Sequence, residues 1–595
     1  MRSINIFKIA ILICFICLGG LSFGQNGQFA ERSYRFPLDV TPSLSGSYGE
    51  LRAAHFHAGV DFRIGGVSGA RLYAAERGYI SRITVSPTGY GRAIYITHPD
   101  GLTTIYGHML LFASKIEDYV RGEQYRQESF SVNLYPDQSL FRIERGDFIG
   151  QAGNSGSSAA PHLHFEVRDT ESQDTQNPLR VLDLDIKDDI APRFEMVGFY
   201  SISNVESIPV RSRIASYTRE ETKVVDVSDT FYIAVAAVDL QNGTTGKLAV
   251  FRYRYFLDDD LIFSFSPDRI PSGMGLYINS VVEYSEKQRS GRNFMIKSWV
   301  EPGCGIKANI EAKNNGLFVL NDDNNHKVRI ELWDEYGNMT ERSFSVKRRH
   351  KVEQSVEFVG NPEVVDTLNG EITDSLNSET LKDLVESSKN YVMPWFLNNK
   401  ITEADFRYSL SLRSLYSSVL MNLKRDTIGD YAGWRLHDNN TPLHRPGTVS
   451  IKADNIPDSL RAKSVLAIVD DSGKLSAIGG EWSGNWIEAK SSSFGLFTVV
   501  LDTIAPKVTP SFKEGETLKG KRSFSITIRD DLSGIADYKV YIDDKWVLSE
   551  YDAKNRRLTV LLDGRVISKD KNHLINIEVA DARSNINQLK SSFIW

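Results

Sequence analysis

Apolar and polar residues alternate with a period of two along most of this chain, in short runs closed by glycine, proline, asparagine or aspartate. Residues 78–85 (GYISRITV), 92–97 (RAIYIT) and 103–106 have this pattern near the N-terminal end. Alternation of this kind puts successive side chains on opposite faces of a strand. No helical periodicity of useful length interrupts it between about residues 34 and 181, so this stretch reads as one antiparallel β block.

Two later stretches read as copies of each other. One opens at Asp189-Ile190-Ala191-Pro192 and continues through 231–239 (FYIAVAAVD), 249–256 (AVFRYRYF), the turn Asp258-Asp259-Asp260 and 328–346. The other opens at Asp502-Thr503-Ile504-Ala505-Pro506 and continues through 524–530 (FSITIRD), 537–542 (DYKVYI), Asp543-Asp544 and 574–593. In each, an aspartate and an asparagine four residues apart sit in the closing hairpin: Asp334 with Asn338, and Asp581 with Asn585. Such side chains close turns by bonding to backbone amides, and calcium binding is the alternative reading. Both stretches read as β-sandwiches with cores of their own. Between them, 352–390 is polar and acidic, with 361–377 a hinge or surface excursion and 373–388 at most one exposed helix. Strands follow at 447–453, 464–470 and 495–501. Trp482 and Trp486, around Gly484, belong on a hairpin, as packing residues or as a carbohydrate platform.

The length of 595 residues accommodates about four domains of ordinary size. The expected boundaries are a signal peptide at 1–24, a first β domain at 25–188, a β-sandwich at 189–350, a polar linker or surface excursion at 351–400, a small mostly β domain at 401–501 and a C-terminal β-sandwich at 502–595. The leader has Arg2 and Lys8 ahead of an apolar stretch at 9–23, too short and glycine-broken for a spanning helix, so export without a stable transmembrane anchor is expected. Cys14 and Cys17 leave with it, and Cys304 alone cannot form an internal disulfide. Lys plus Arg number 70 against 76 for Asp plus Glu, with no basic stripe, so no nucleic-acid partner is expected.

Chemistry concentrates in the first block, which holds six of the eleven histidines between residues 55 and 164. His57 with Asp61, and His162 with His164, stand two or four apart and share a strand face. Two imidazoles and one carboxylate would give Zn²⁺ three protein ligands and leave the fourth position to water, the arrangement of a hydrolytic site. Gly59 would let the backbone turn between the first two. His98, in the turn before Gly101, reads as a bystander. His55 shares a face with His57, and Glu166 could support a ligand from behind.

The segment at about 36–169 resembles the LytM or lysostaphin-like zinc endopeptidases, peptidase family M23. The matching motifs are His57-Ala58-Gly59-Val60-Asp61, 101–108 (GLTTIYGH) and 155–166 (SGSSAAPHLHFE). The resemblance implies an all-β chain with an antiparallel peptidase sheet, followed here by several Ig-like β-sandwich modules. It implies His57, Asp61 and His164 as zinc ligands, His108 and His162 as catalytic histidines, and hydrolysis of peptidoglycan stem peptides or cross-links through a zinc-activated water. The chain departs from the family at 112–145, an insertion that could wall the cleft or cover a sheet edge.

The implied setting is the periplasm or cell envelope, possibly outside the cell, with peptidoglycan peptides as substrate and an envelope protein as a possible partner of the C-terminal modules. Two rival readings stand beside it: a zinc peptidase acting on extracytoplasmic proteins, and a non-catalytic activator of a cell-wall hydrolase.

Overall fold

The computed structural model describes residues 33–205, 208–221, 223–291, 294–349 and 389–595. The leader expected at 1–24, with Cys14 and Cys17, and most of the linker expected at 351–400, including its helix, lie outside the described residues. Among the described residues strands dominate and gather into eight separate sheets, with a few helices among them.

The first block contains β1 (Leu44–Gly46), β2 (Val60–Arg63), β3 (Arg71–Tyr73), β4 (Gly78–Val85), β5 (Ala93–Thr97), β6 (Leu102–Gly107), β7 (Met109–Phe112), β8 (Val132–Leu134), β9 (Arg142–Ile143), β10 (Phe148–Ala152) and β11 (His162–Asp169). Its main sheet runs β1-β2-β11-β6-β5-β4-β8, with β9 also on β4, and a small sheet runs β3-β10-β7. All of these pairings are antiparallel. Every residue of β6 is buried, and so is Phe165 on the neighbouring β11. A central strand covered on both faces loses strict alternation for that reason.

The helix α1 (Ser114–Gln127) corrects the expectation of a helix-free first block. It buries only Ile116, Glu117, Val120 and Gln124, and a stripe this narrow and half polar leaves little apolar periodicity to read. It packs on β7 and β8, with Glu117 accepting from the Phe112 amide and pairing with Arg92, while β8 extends the main sheet beyond β4. The insertion thus adds β8 and β9 alongside β4.

The second stretch forms a five-stranded and a six-stranded sheet, and the C-terminal stretch a four-stranded and a five-stranded sheet. The likeness between them extends to an unusual detail. In both, the last strand takes a parallel partner at the edge, Val225–Val227 on Met339–Arg348 and Glu516–Thr517 on Ile586–Ile594. Between them, strands from Lys389–Met393 to Gly495–Leu501 build two more sheets. There Trp482 and Trp486 lie on the two strands of a hairpin, as expected, opposite Ile487 and Ser483 and so on opposite faces, under Arg461 and Arg407 respectively.

The cores differ from the expectation of independent modules. One hydrophobic cluster runs from Tyr34 to Val346 and joins the first block to the second stretch, with Phe56 stacked on Phe265 at 5.9 Å. The middle and C-terminal stretches have their own clusters. The C-terminal stretch meets the first block through polar groups and one aromatic pair. Arg92, 4% exposed, pairs with Glu117 and with Glu550 across that boundary, and Tyr125 meets Trp546 edge-on at 5.3 Å. Lys554 donates to the backbone oxygens of Asn154 and Ser158.

A guanidinium this buried holds two carboxylates at once, and removing it leaves Glu117 only Arg121 and the Phe112 amide. Arg92→Ala is expected to destabilise the chain by about 3 kcal/mol, and Glu550→Ala, on the more exposed partner, by about 1 kcal/mol. Urea unfolding followed by tryptophan fluorescence measures both, and equal costs would contradict this ranking.

Candidate metal centre

Antiparallel pairing of β2 with β11 sets Asp61 directly opposite His164, and β6 sets Gly107 on the other side of His164. His57 approaches from the segment before β2. Gly59 is needed here for proximity and not for the tight turn expected of it: a Cβ would lie 2.3 Å from the Phe165 carbonyl oxygen. His108 follows β6 with a φ of 57°, a left-handed conformation at the step from the main sheet into β7 of the small one.

The three side chains converge. His57 Nε2 lies 3.0 Å from His164 Nδ1 and 3.1 Å from Asp61 Oδ1, and His164 Nδ1 lies 2.9 Å from that same oxygen. All three residues are at least nine-tenths buried. His162 Nε2 stands 3.3 Å from Asp61 Oδ1, and the His108 ring centre is 4.8 Å from that of His162 and 5.7 Å from that of His164. The five expected site residues are thus brought together. His55 is exposed, and His98 is held in the core between the Arg77 carbonyl and the Thr104 hydroxyl.

Each imidazole is oriented by a bond on its far side. Nδ1 of His57 donates to Ser47 O at 2.8 Å, Nδ1 of His108 to Ser155 O at 2.8 Å and Nδ1 of His162 to Ala160 O at 2.8 Å. Nε2 of His164 donates to Glu166 Oε1 at 2.8 Å. Carbonyl and carboxylate oxygens only accept, so these nitrogens carry the ring protons, and each neutral ring turns a lone pair towards the others. Two imidazole lone pairs and a carboxylate oxygen about 3 Å apart repel one another unless a positive charge lies among them.

The electrostatics express that demand. Burial lowers the His57 pKa. Burial also works against charge on His164, but its bonds to Asp61 and Glu166 outweigh this and push it up to about 9. Burial would raise Asp61, yet the surrounding imidazoles hold it well below the usual carboxylate range. The site therefore draws in one positive charge, a proton or a metal ion. The donor set fits zinc: tetrahedral coordination with ordinary bond lengths places ligand atoms about 3.3 Å apart, close to the spacing seen.

Around the three, Arg52 donates to Asp61 Oδ2 at 2.8 Å, and buried Glu166 also accepts from Tyr90 and Arg168. Arg52 and Tyr90 carry no signal by spacing. Ser155 and Glu166 lie inside the third motif. The loop from Asn154 to Ala160 supplies both carbonyls that orient His108 and His162, and Lys554 is bonded to that same loop.

Part of the chain is similar to known proteins. The DD-carboxypeptidase/endopeptidase Mpg of Neisseria meningitidis is 30% identical over 118 residues, 20% of this chain and 21% of that protein. An uncharacterized metalloprotease of Haemophilus influenzae is 24% identical over 157 residues, 25% of this chain and 27% of that protein. The chain thus spans about a fifth to a quarter of the length of these curated relatives. Among solved structures, the catalytic domain of the prophage-encoded M23 protein EnpA from Enterococcus faecalis is 23% identical, with a TM-score of 0.18, covering 24% of this chain and 94% of that one. A family model described as a Zu5-like domain matches residues 390–502.

Glu166 fixes which His164 nitrogen faces the centre. Glu166→Gln is expected to weaken Zn²⁺ binding about 10- to 100-fold, the usual cost of losing such a partner. Competition with a chromophoric chelator measures this, and unchanged affinity would contradict the assignment.

Proposed function

We propose that this chain is an exported zinc-dependent endopeptidase of the M23 type that hydrolyses stem peptides or cross-links of peptidoglycan. In this reading His57, Asp61 and His164 hold the metal, and His108 and His162 are catalytic. The observation that carries it is the convergence of three ligand atoms from two paired strands and the segment before them, with two further imidazoles facing them. Zn²⁺ bound there supplies a Lewis acid for the scissile carbonyl and lowers the pKa of a water towards about 7.

The chain's own groups do the rest. His162 Nε2 and His108 Nε2 are the free nitrogens of rings held from behind by Ala160 O and Ser155 O. One ring would accept the proton of the attacking water and, so protonated, hydrogen-bond the oxyanion and pass that proton to the leaving amine, while the other, neutral, would accept a hydrogen bond that orients the water. Burial, with the neighbouring His164 and His162, lowers the His108 pKa to about 3 and keeps that ring neutral. Fixed carbonyl partners remove the cost of reorienting the rings during the reaction.

The substrate class draws support from the resemblance of the motifs and from the Neisseria relative, a DD-carboxypeptidase/endopeptidase. The later stretches, read as Ig-like β-sandwich modules around a smaller β domain, position the first block or hold an envelope protein partner. The expected leader puts the enzyme in the periplasm or cell envelope. Among the described residues, no helix is long and apolar enough to cross a membrane.

Mass spectrometry of a sacculus digest tests reaction and substrate together. Wild-type protein is expected to release cleaved stem peptides. His162→Ala should keep its zinc and turn over about 10²- to 10⁴-fold more slowly, and His57→Ala should lose both zinc and activity. Intact sacculi with a zinc-loaded wild-type enzyme would reject the substrate, and full activity in His57→Ala would reject the site.

A further inference from the structure

The repeated stretches each bring three carboxylates together away from the histidines. They are Asp188, Asp239 and Asp334 in the first copy and Asp502, Asp530 and Asp581 in the second, and within each set one oxygen per residue lies within 4.8 Å of the others. The frames match residue for residue. Asp334 Oδ1 accepts from the amides of Tyr336 and Asn338, as Asp581 Oδ1 does from Arg583 and Asn585. Asn338 Nδ2 reaches the Asp188 carbonyl at 3.0 Å, and Asn585 Nδ2 the Asp502 carbonyl at 2.9 Å. Asp188 and Asp502 both lie where the chain enters the module, ahead of its first strand.

The copies differ in how the remaining oxygens are neutralised. In the C-terminal copy the loop after Asp530 folds back on the cluster. Asp530 Oδ2 accepts from Leu532 N at 3.0 Å and Gly534 N at 2.7 Å, and Asp502 Oδ2 from Ser533 N at 3.1 Å. In the first copy the equivalent loop is spent elsewhere: Gln241 Oε1 accepts from Leu44 N, and Asn242 bonds with Asp189. Asp239 is 5% exposed and its Oδ1 has no hydrogen-bond partner, and Asp188 Oδ2 is also buried without one. Among the described residues, no lysine, arginine or histidine forms an ion pair with any of the three. A buried carboxylate oxygen without a donor, facing two more carboxylates, calls for a cation.

We propose that Asp188, Asp239 and Asp334 form a calcium site that fastens the connection from the first block onto the second module, while backbone amides close the C-terminal counterpart and it takes no cation. All the donors are oxygens, and three carboxylates from separate segments suit the oxygen-only, adaptable coordination of Ca²⁺. A bound ion would join the incoming connection at Asp188, the end of strand Thr230–Val238 at Asp239 and the closing hairpin at Asp334. The site is independent of the zinc reading.

Calorimetric titration of the zinc-loaded full chain with CaCl₂ in 0.15 M NaCl tests the proposal, alongside the thermal transition with and without calcium. Wild type and Asp530→Asn are expected to bind one Ca²⁺ and to unfold at a higher temperature with calcium present. Asp239→Asn should stay folded, because it removes a repelling charge, but bind at least about tenfold more weakly and lose the calcium-dependent shift. Absence of calcium binding in wild type, undiminished binding in Asp239→Asn, or loss of binding in Asp530→Asn would each overturn it.

Discussion

The repulsion among three electron-rich atoms, forced to within about 3 Å of one another, is the constraint on which the first block depends. His57 Nε2, His164 Nδ1 and Asp61 Oδ1 cannot relax apart, because each side chain is fixed from behind: by Ser47 O, Glu166 and Arg52 respectively. Strand pairing between β2 and β11 supplies the registry and burial removes the screening, so the frame holds a standing demand for positive charge. A site arranged in this way is costly for the fold without its ion, which is how metal binding and local stability become linked.

The second pair of histidines rests on a longer chain of support. His108 and His162 depend on carbonyls of the loop between Gly153 and His162, and that loop is bonded to Lys554 of the C-terminal stretch. The buried Arg92 is shared between Glu117 and Glu550 at the same boundary. Residues nearly four hundred positions away in sequence therefore brace the carbonyls that aim the two rings. The C-terminal stretch thus braces the loop that carries Ser155 and Ala160.

Much of this was legible in the chain. Period-two alternation located β4 at its observed bounds and the strand 495–501 to the residue, and the spacing of His162 and His164 put them on one strand face, whereas His57 reaches Asp61 from the segment before β2 and not along a strand. The repeat of Asp-x-x-x-Asn hairpins was equally plain, and its structural reading as turn closure by backbone bonds is what Asp334 and Asp581 display. Other features lay beyond any local pattern. The helix Ser114–Gln127 hides because its buried stripe includes Glu117 and Gln124, which are inward-facing for tertiary reasons. Gly59 was read as a turn residue, and only the approach of Phe165 from another strand reveals its function. The continuous core from Tyr34 to Val346 and the contacts of Arg52, Tyr90 and Lys554 arise from chain segments meeting in space, and no single segment announces them.

X-ray absorption at the zinc edge of the purified full chain addresses the centre most directly, because it reports ligand type and distance without depending on substrate. The account predicts one zinc per chain with only nitrogen and oxygen neighbours at about 2.0–2.1 Å, and outer-shell scattering from two imidazoles that disappears along with the metal in Asp61→Ala. A chain that retains no zinc, or a zinc with a sulfur neighbour at about 2.3 Å, would contradict it.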